Sequence, residues 1–123
     1  MDSHGRDIEK RTFDFAIRIL RLMPAIPMRH GGEVIARQLS RSGTSVGANV
    51  EEAQGSQSKR DFVRRMNIAR AEAREVHYWL RLLAESGLVE TKRLSEIIGE
   101  ADELVRILTT IVKRSRQNSE EKG

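Results

Sequence analysis

The sequence predicts an all-α protein folded as an antiparallel up-down-up-down four-helix bundle. Four stretches of the chain place apolar residues three and four apart, the spacing of one helix face. The 123 residues include only two prolines, Pro24 and Pro27, so these stretches are free of helix breakers. Aromatic residues make up 4% and charged residues 33%, a balance that favours helices over strands.

The first helix is expected from about Ile8 to Met23. Ile8, Thr12, Phe15, Ile19 and Leu22 form one row, with Phe13, Ala16, Leu20 and Met23 beside it. Pro24, Pro27, Gly31 and Gly32 then make a loop that no helix can cross. The second helix runs from about Glu33 to Gln54 on the inward row Ile35, Leu39, Ser42, Val46, Asn49 and Ala53, and Gly55-Ser56-Gln57-Ser58 ends it. The third runs from about Lys59 to Ser86, with Ser58 as N-cap and Asp61 in the first turn. Its core row is Phe62, Met66, Ala69, Ala73, Val76, Leu80 and Leu83, and Gly87 stops it. The fourth runs from about Thr91 to Arg114 on Leu94, Ile97, Ala101, Leu104, Leu108 and Ile111. Ile98, Val105 and Val112 widen that stripe. Residues 8–114 read as one bundle domain between a flexible N-terminus, 1–7, and a flexible polar tail, 115–123. The extra apolar rows fit either contacts between subunits or a generous core.

Ser40 to Asn49 make a poor helix by propensity. Gly43 and Gly47 each cost about 1 kcal/mol relative to alanine. Close approach of a neighbouring helix is the expected compensation, through gained dispersion contacts. Ser42, Ser45, Asn49 and Glu52 share one flank. The favoured reading is a structural polar seam of Arg41, Ser45, Asn49 and Glu52, with side-chain bonds across the bundle that fix its register. The alternative is an anion or ligand site lined by the same residues. A phosphate loop is excluded, because the Gly-Lys-Ser/Thr ending and a preceding strand are both missing.

No catalytic constellation emerges. Cysteine is absent, which removes thiolate nucleophiles, thiolate metal sites and disulfides. His4, His30 and His77 lie far apart, and no Glu-x-x-His of the di-iron bundles occurs. Glu72 and Glu75 read as a solvated face, and His77 as a partly exposed histidine. The expectation is a protein with no catalytic residues, no metal and no cofactor. The N-terminal residues carry acids and no apolar run, and no stretch approaches the ~20 apolar residues of a membrane helix. A soluble cytoplasmic protein is expected.

The strongest functional signal is basic. The net charge is +4 and the pI about 10.0. Arg60, Arg64, Asn67, Ala71, Arg74, Tyr78 and Arg81 alternate by four and three, offset by two residues from the core row of the third helix. They therefore face roughly away from the core. From residue 59 to 86 seven basic residues stand against four acidic ones. Arg60, Arg64, Arg74, Tyr78 and Arg81 are the candidate nucleic-acid-binding residues: guanidinium forks suit phosphates and the aromatic ring suits base stacking. No helix-turn-helix or ribonucleoprotein motif is present, so binding to RNA or DNA should be salt-sensitive and weakly selective. Two other readings compete. The arginines form a solvated face neutralised by Glu51, Glu52 or another subunit, or the protein is a purely structural oligomer that binds a protein through its apolar stripes.

Arg41-Ser42-Gly43-Thr44-Ser45-Val46-Gly47-Ala48-Asn49-Val50-Glu51-Glu52, with Gln38-Leu39 before it, resembles the signature of small four-helix proteins encoded within intervening sequences of bacterial 23S ribosomal RNA, the S23 family. The likeness continues through Ser58-Lys59-Arg60-Asp61-Phe62 and Glu75-Val76-His77-Tyr78-Trp79-Leu80. Ala53 stands where many relatives carry glycine, which bears on where the second helix ends. The resemblance implies a bundle assembled into a ring, commonly a homopentamer, with no established enzymatic role. The accessory variability protein of diversity-generating retroelements is similar in fold and ring; there a basic surface engages nucleic acid and a reverse transcriptase.

Overall fold

A computed structural model describes the backbone of residues 3–122 and the side-chain surroundings of residues 8–118. Four helices account for nearly all of it: α1 (Ser3–Leu22), α2 (Gly32–Gln54), α3 (Lys59–Glu85) and α4 (Thr91–Lys122), with a 3-10 turn at Met23–Ala25. No strand occurs among the described residues. The expected flexible ends, 1–7 and 115–123, lie for the most part outside the described side chains. Where their backbone is described it is helical, so α1 and α4 are both longer than the apolar periodicity suggested. Residues 115–122 contain no proline or glycine to stop α4.

Local chemistry sets the boundaries as expected. The Asp61 amide donates to Ser58 Oγ at 3.0 Å and caps α3. α2 passes through Ala53 and stops at Gly55. In the α1–α2 loop the chain turns through positive φ at Gly31 (φ 89°), and a side chain on Gly32 would collide with the Pro27 carbonyl.

Consecutive helices pack side by side and reverse direction. A Cβ on Gly43 would meet Ile19, whereas one on Gly47 would meet Thr12, so α1 descends as α2 rises. α2 packs on α3 and α3 on α4, while α1 touches α4 along the thinnest seam. Arg11 closes that seam. Its Nη2 donates to Glu100 Oε1 at 2.7 Å, its Nε to Glu100 Oε2 at 3.2 Å, and its Nη1 to Glu103 Oε1 at 3.3 Å. The Glu100 hydrogen bond is the main reason the Arg11 guanidinium holds its proton more tightly than usual.

The core follows the periodicity for the most part: Phe62, Asn49 and Ile111 of the expected inward rows are only half-buried, whereas Val50 and Val112 beside them are buried. Ile8, Phe15, Ile19, Leu39, Val46, Met66, Leu80, Leu83, Leu94, Leu104 and Leu108 are fully buried. Each such side chain contributes about 1.5–3 kcal/mol relative to exposure. Thr12 and Ser42 are buried with them, and each hydroxyl donates to the carbonyl four residues back at 2.7 Å, which leaves neither unpaired. The two extra rows behave differently. On α4, Val112 is buried and Ile98 and Val105 pack against the core. On α1, Phe13 and Leu20 remain 63% and 50% exposed. With α2 on one side and only a thin seam with α4 on the other, α1 leaves these two uncovered among the described residues, while Ala16 and Met23 of the same row are half-buried.

Small residues set the α1–α2 distance. A Cβ built on Gly43 lies 2.8 Å from Ile19 Cγ2, and one on Gly47 lies 3.1 Å from the Thr12 carbonyl oxygen. The close approach expected to offset two helix glycines is present. Gly43→Ala gains about 1 kcal/mol of helix propensity but overpacks against a buried β-branched side chain, which costs about 1–3 kcal/mol. The expected result is a net loss of about 1 kcal/mol, read as a lower urea midpoint at unchanged slope. At the α1–α4 seam, Arg11→Met strands Glu100, whose side chain is only 20% exposed, and should lower stability by about 1–2 kcal/mol. Glu103 is 59% exposed, and Glu103→Gln should cost no more than a few tenths of a kcal/mol by the same measurement.

Candidate nucleic-acid interface

The burial of Met66, Ala69, Ala73, Val76, Leu80 and Leu83 fixes the rotation of α3, and the arginine row falls outward. Arg60, Arg64, Arg74, Tyr78 and Arg81 are all exposed, Tyr78 by 49%. Arg64 is partly engaged by its own helix: Nη2 donates to Asp61 Oδ1 at 2.7 Å and Nε to the same oxygen at 3.3 Å. Arg60, Arg74 and Arg81 have no ion-pair partner among the described residues, and neither Glu51 nor Glu52 reaches the row there. Within one chain, three of the four arginines are thus left for an outside anion.

Tyr78 lies at the edge of a groove of about 580 Å³ between α3 and α4. Arg74, Glu75, His77, Trp79 and Arg81 share the α3 wall with it, and Asp102 and Val105 form the α4 wall. Tyr78 and Trp79 meet edge to face, with ring centroids 5.0 Å apart and planes at 77°, a contact that steadies the exposed ring. The Trp79 Nε1 is buried without a hydrogen-bond partner.

A second basic group was not singled out from the sequence. Arg18 and Arg21 of α1 and Arg93 of α4 converge, with Glu96, on a depression of about 220 Å³. Arg18 and Arg21 are three residues apart and legible as a pair. Arg93 joins them only because α4 folds back onto α1.

The polar flank of α2 differs from the expected seam. Asn49 Nδ2 donates to the Ser45 carbonyl at 2.9 Å and to Ser45 Oγ at 3.1 Å, so both bonds stay within α2 rather than crossing the bundle. Glu52 is exposed. Only Arg41 crosses between helices: Nη1 donates to Glu72 at 3.0 Å, Nη2 donates to Glu75, and Nε donates to Gln38 at 3.2 Å. Glu72 and Glu75, read from sequence as a solvated face, are the two carboxylates that receive it. The reason is rotational. Asn49 and Ser45 are one turn apart on a half-buried flank, where the amide finds its own helix's carbonyl before it finds a neighbour. Arg41 has the length to reach α3. Among the described residues no group of three His, Asp or Glu side chains stands close enough to hold a metal ion. No helix among the described residues is long and apolar enough to cross a membrane.

Asp61 joins the cap to the basic row. Its hydrogen bond with Arg64 is the largest influence holding its carboxyl below the usual carboxylate range, against an opposing desolvation effect. A depressed folded-state value stabilises the fold above the unfolded value, and that contribution is lost as pH falls through the folded one. Asp61→Asn should therefore lower the thermal midpoint at neutral pH. The gap from the parent should close in acid, below the ordinary carboxylate range; a constant gap across pH would contradict this assignment.

Fold and surface together define an all-helical four-helix protein with an outward arginine row on its third helix. The chain belongs to the family described as 23S rRNA-intervening sequence protein, which it matches over residues 6–110. Among solved structures it is similar to a protein of unknown function from the S23 ribosomal protein family of Bacteroides thetaiotaomicron VPI-5482. The two are 34% identical, with a TM-score of 0.82, over 89% of this chain and 98% of the other. No curated protein matches it.

Proposed function

We propose that this protein is a non-catalytic, cofactor-free, oligomeric accessory or scaffold that associates with RNA or DNA in the cytoplasm through its basic surface. The observation that carries this reading is the exposed row Arg60, Arg64, Arg74, Tyr78 and Arg81, in which three arginines lack a carboxylate partner among the described residues. The family's description, which ties it to intervening sequences of 23S rRNA, is consistent with a nucleic-acid setting. Assembly into a ring, a homopentamer by resemblance, would multiply the +4 of one chain and strengthen its field for polyanions. By its likeness to the accessory variability protein of diversity-generating retroelements, a reverse transcriptase is the protein partner to try first.

A second reading has its own support. The exposed Phe13 and Leu20 lie on α1, and Phe13 borders a groove of about 270 Å³ lined by Ala16, Thr44, Gly47 and Ala48. Such a face suits a protein, in a structural oligomer without a nucleic-acid role.

Light scattering for mass, followed by titration of labelled RNA across salt, separates the two. If three arginines each neutralise a phosphate of a single strand, affinity should fall about twentyfold between roughly 50 and 200 mM salt. The triple variant Arg60→Gln, Arg74→Gln, Arg81→Gln should flatten that dependence. An oligomer that ignores RNA at low salt would favour the protein-binding reading.

A further inference from the structure

We propose that the α3–α4 groove holds one unpaired nucleotide, its base stacked on Tyr78 and the phosphates on either side of it held by Arg74 and Arg81. The inference rests on the nucleic-acid reading and narrows it from polyanions in general to single strands.

Three features of the groove support it. The first is the order along α3. Arg74 and Arg81 stand about 10 Å apart along the axis, one turn to either side of Tyr78. Two phosphates flank each base of a nucleotide chain; they stand closer together than the two arginine positions, and the long guanidinium side chains can converge on them from either side of the aromatic face. The second is availability. Tyr78 is 49% exposed, its ring is steadied by Trp79, and neither arginine has an ion-pair partner among the described residues. The third is the asymmetry of the walls. The α4 side presents Asp102, which is paired with Arg106 at 3.1 Å, and the apolar Val105. Glu75 on the α3 wall is occupied by Arg41, and Arg74 and Arg81 place two cations on that wall against none lining the α4 side, so the backbone lies along α3 and the base edge turns toward α4. In that position Asp102 can accept from an exocyclic amino group. A volume of about 580 Å³ falls within the range of sites that take a small organic ligand. A duplex keeps its bases stacked and paired, and offers Tyr78 only sugar and phosphate.

The full-length protein can be titrated with a labelled RNA of about 16 nucleotides lacking self-complementarity, alone and annealed to its complement. Trp79 is the sole tryptophan and touches Tyr78, so its fluorescence gives a second, label-free readout. The single strand should bind at least tenfold more tightly than the duplex and alter Trp79 emission. Tyr78→Ala should weaken single-strand binding by about tenfold or more and leave duplex binding little changed. Tyr78→Phe, which keeps the ring, should retain the parent affinity. Tyr78 is exposed, so an unchanged helical melting curve would confirm that each variant is folded. Equal affinity for both forms, or a Tyr78→Ala variant that binds the single strand like the parent, would overturn the stacking site while leaving the basic face as a binder of polyanions. Binding to neither form would overturn both.

Discussion

The surface of this protein follows from how α3 is buried. Its row from Met66 to Leu83 lies between α2 and α4, and the loss of water from those side chains outweighs any other preference the helix has about its rotation. Once that row faces inward, the arginines and Tyr78 must face outward. Two like-charged arginines one turn apart would cost an isolated helix a few tenths of a kcal/mol. Burial of a single leucine exceeds that several-fold. The core therefore imposes a charge pattern that the helix alone would resist, and an outward arginine row is the result, with Arg60, Arg74 and Arg81 lacking a carboxylate partner among the described residues.

α2 solves a different problem. It carries two glycines, three serines and an asparagine between Ser40 and Asn49, just under three turns, a composition that favours irregular backbone. It remains helical because α1 comes close enough at Gly43 and Gly47 for dispersion contacts to compensate. Ser40, Ser42, Thr44 and Asn49 donate to carbonyls of their own helix, and the Ser45 hydroxyl accepts from Asn49. The α2–α3 register is instead held by the core and by Arg41 between Glu72 and Glu75. The Arg41 side chain is about half exposed, so these pairs count as orientation more than as stability.

The bundle is unevenly closed. α3 is packed on both sides, whereas α1 is packed well on α2 and reaches α4 mainly through Arg11. That unevenness accounts for two surface features. It leaves Phe13 and Leu20 uncovered on α1, and it opens the depression where Arg18, Arg21 and Arg93 gather. The exposed apolar row and the basic α3 face thus belong to different sides of one molecule, one suited to a protein surface and the other to phosphate.

The four helices, the capping of α3 by Ser58, the stop at Gly87 and nearly all of the core were legible in the residue order, because those depend on spacing and on local chemistry within a few residues. So was the outward position of the arginine row, since a helix of known core face has a known opposite face. Helix ends at Ser3 and Lys122 were not, because an apolar pattern stops where burial stops and helix does not. Every relation between helices came from the packed fold instead. Phe13 is surface while Val112 is core, Asn49 turns back on its own helix while Arg41 crosses, and Arg93 joins Arg18 and Arg21. Each of these turns on which neighbour lies within a side chain's reach, and no spacing along a single helix contains that distance.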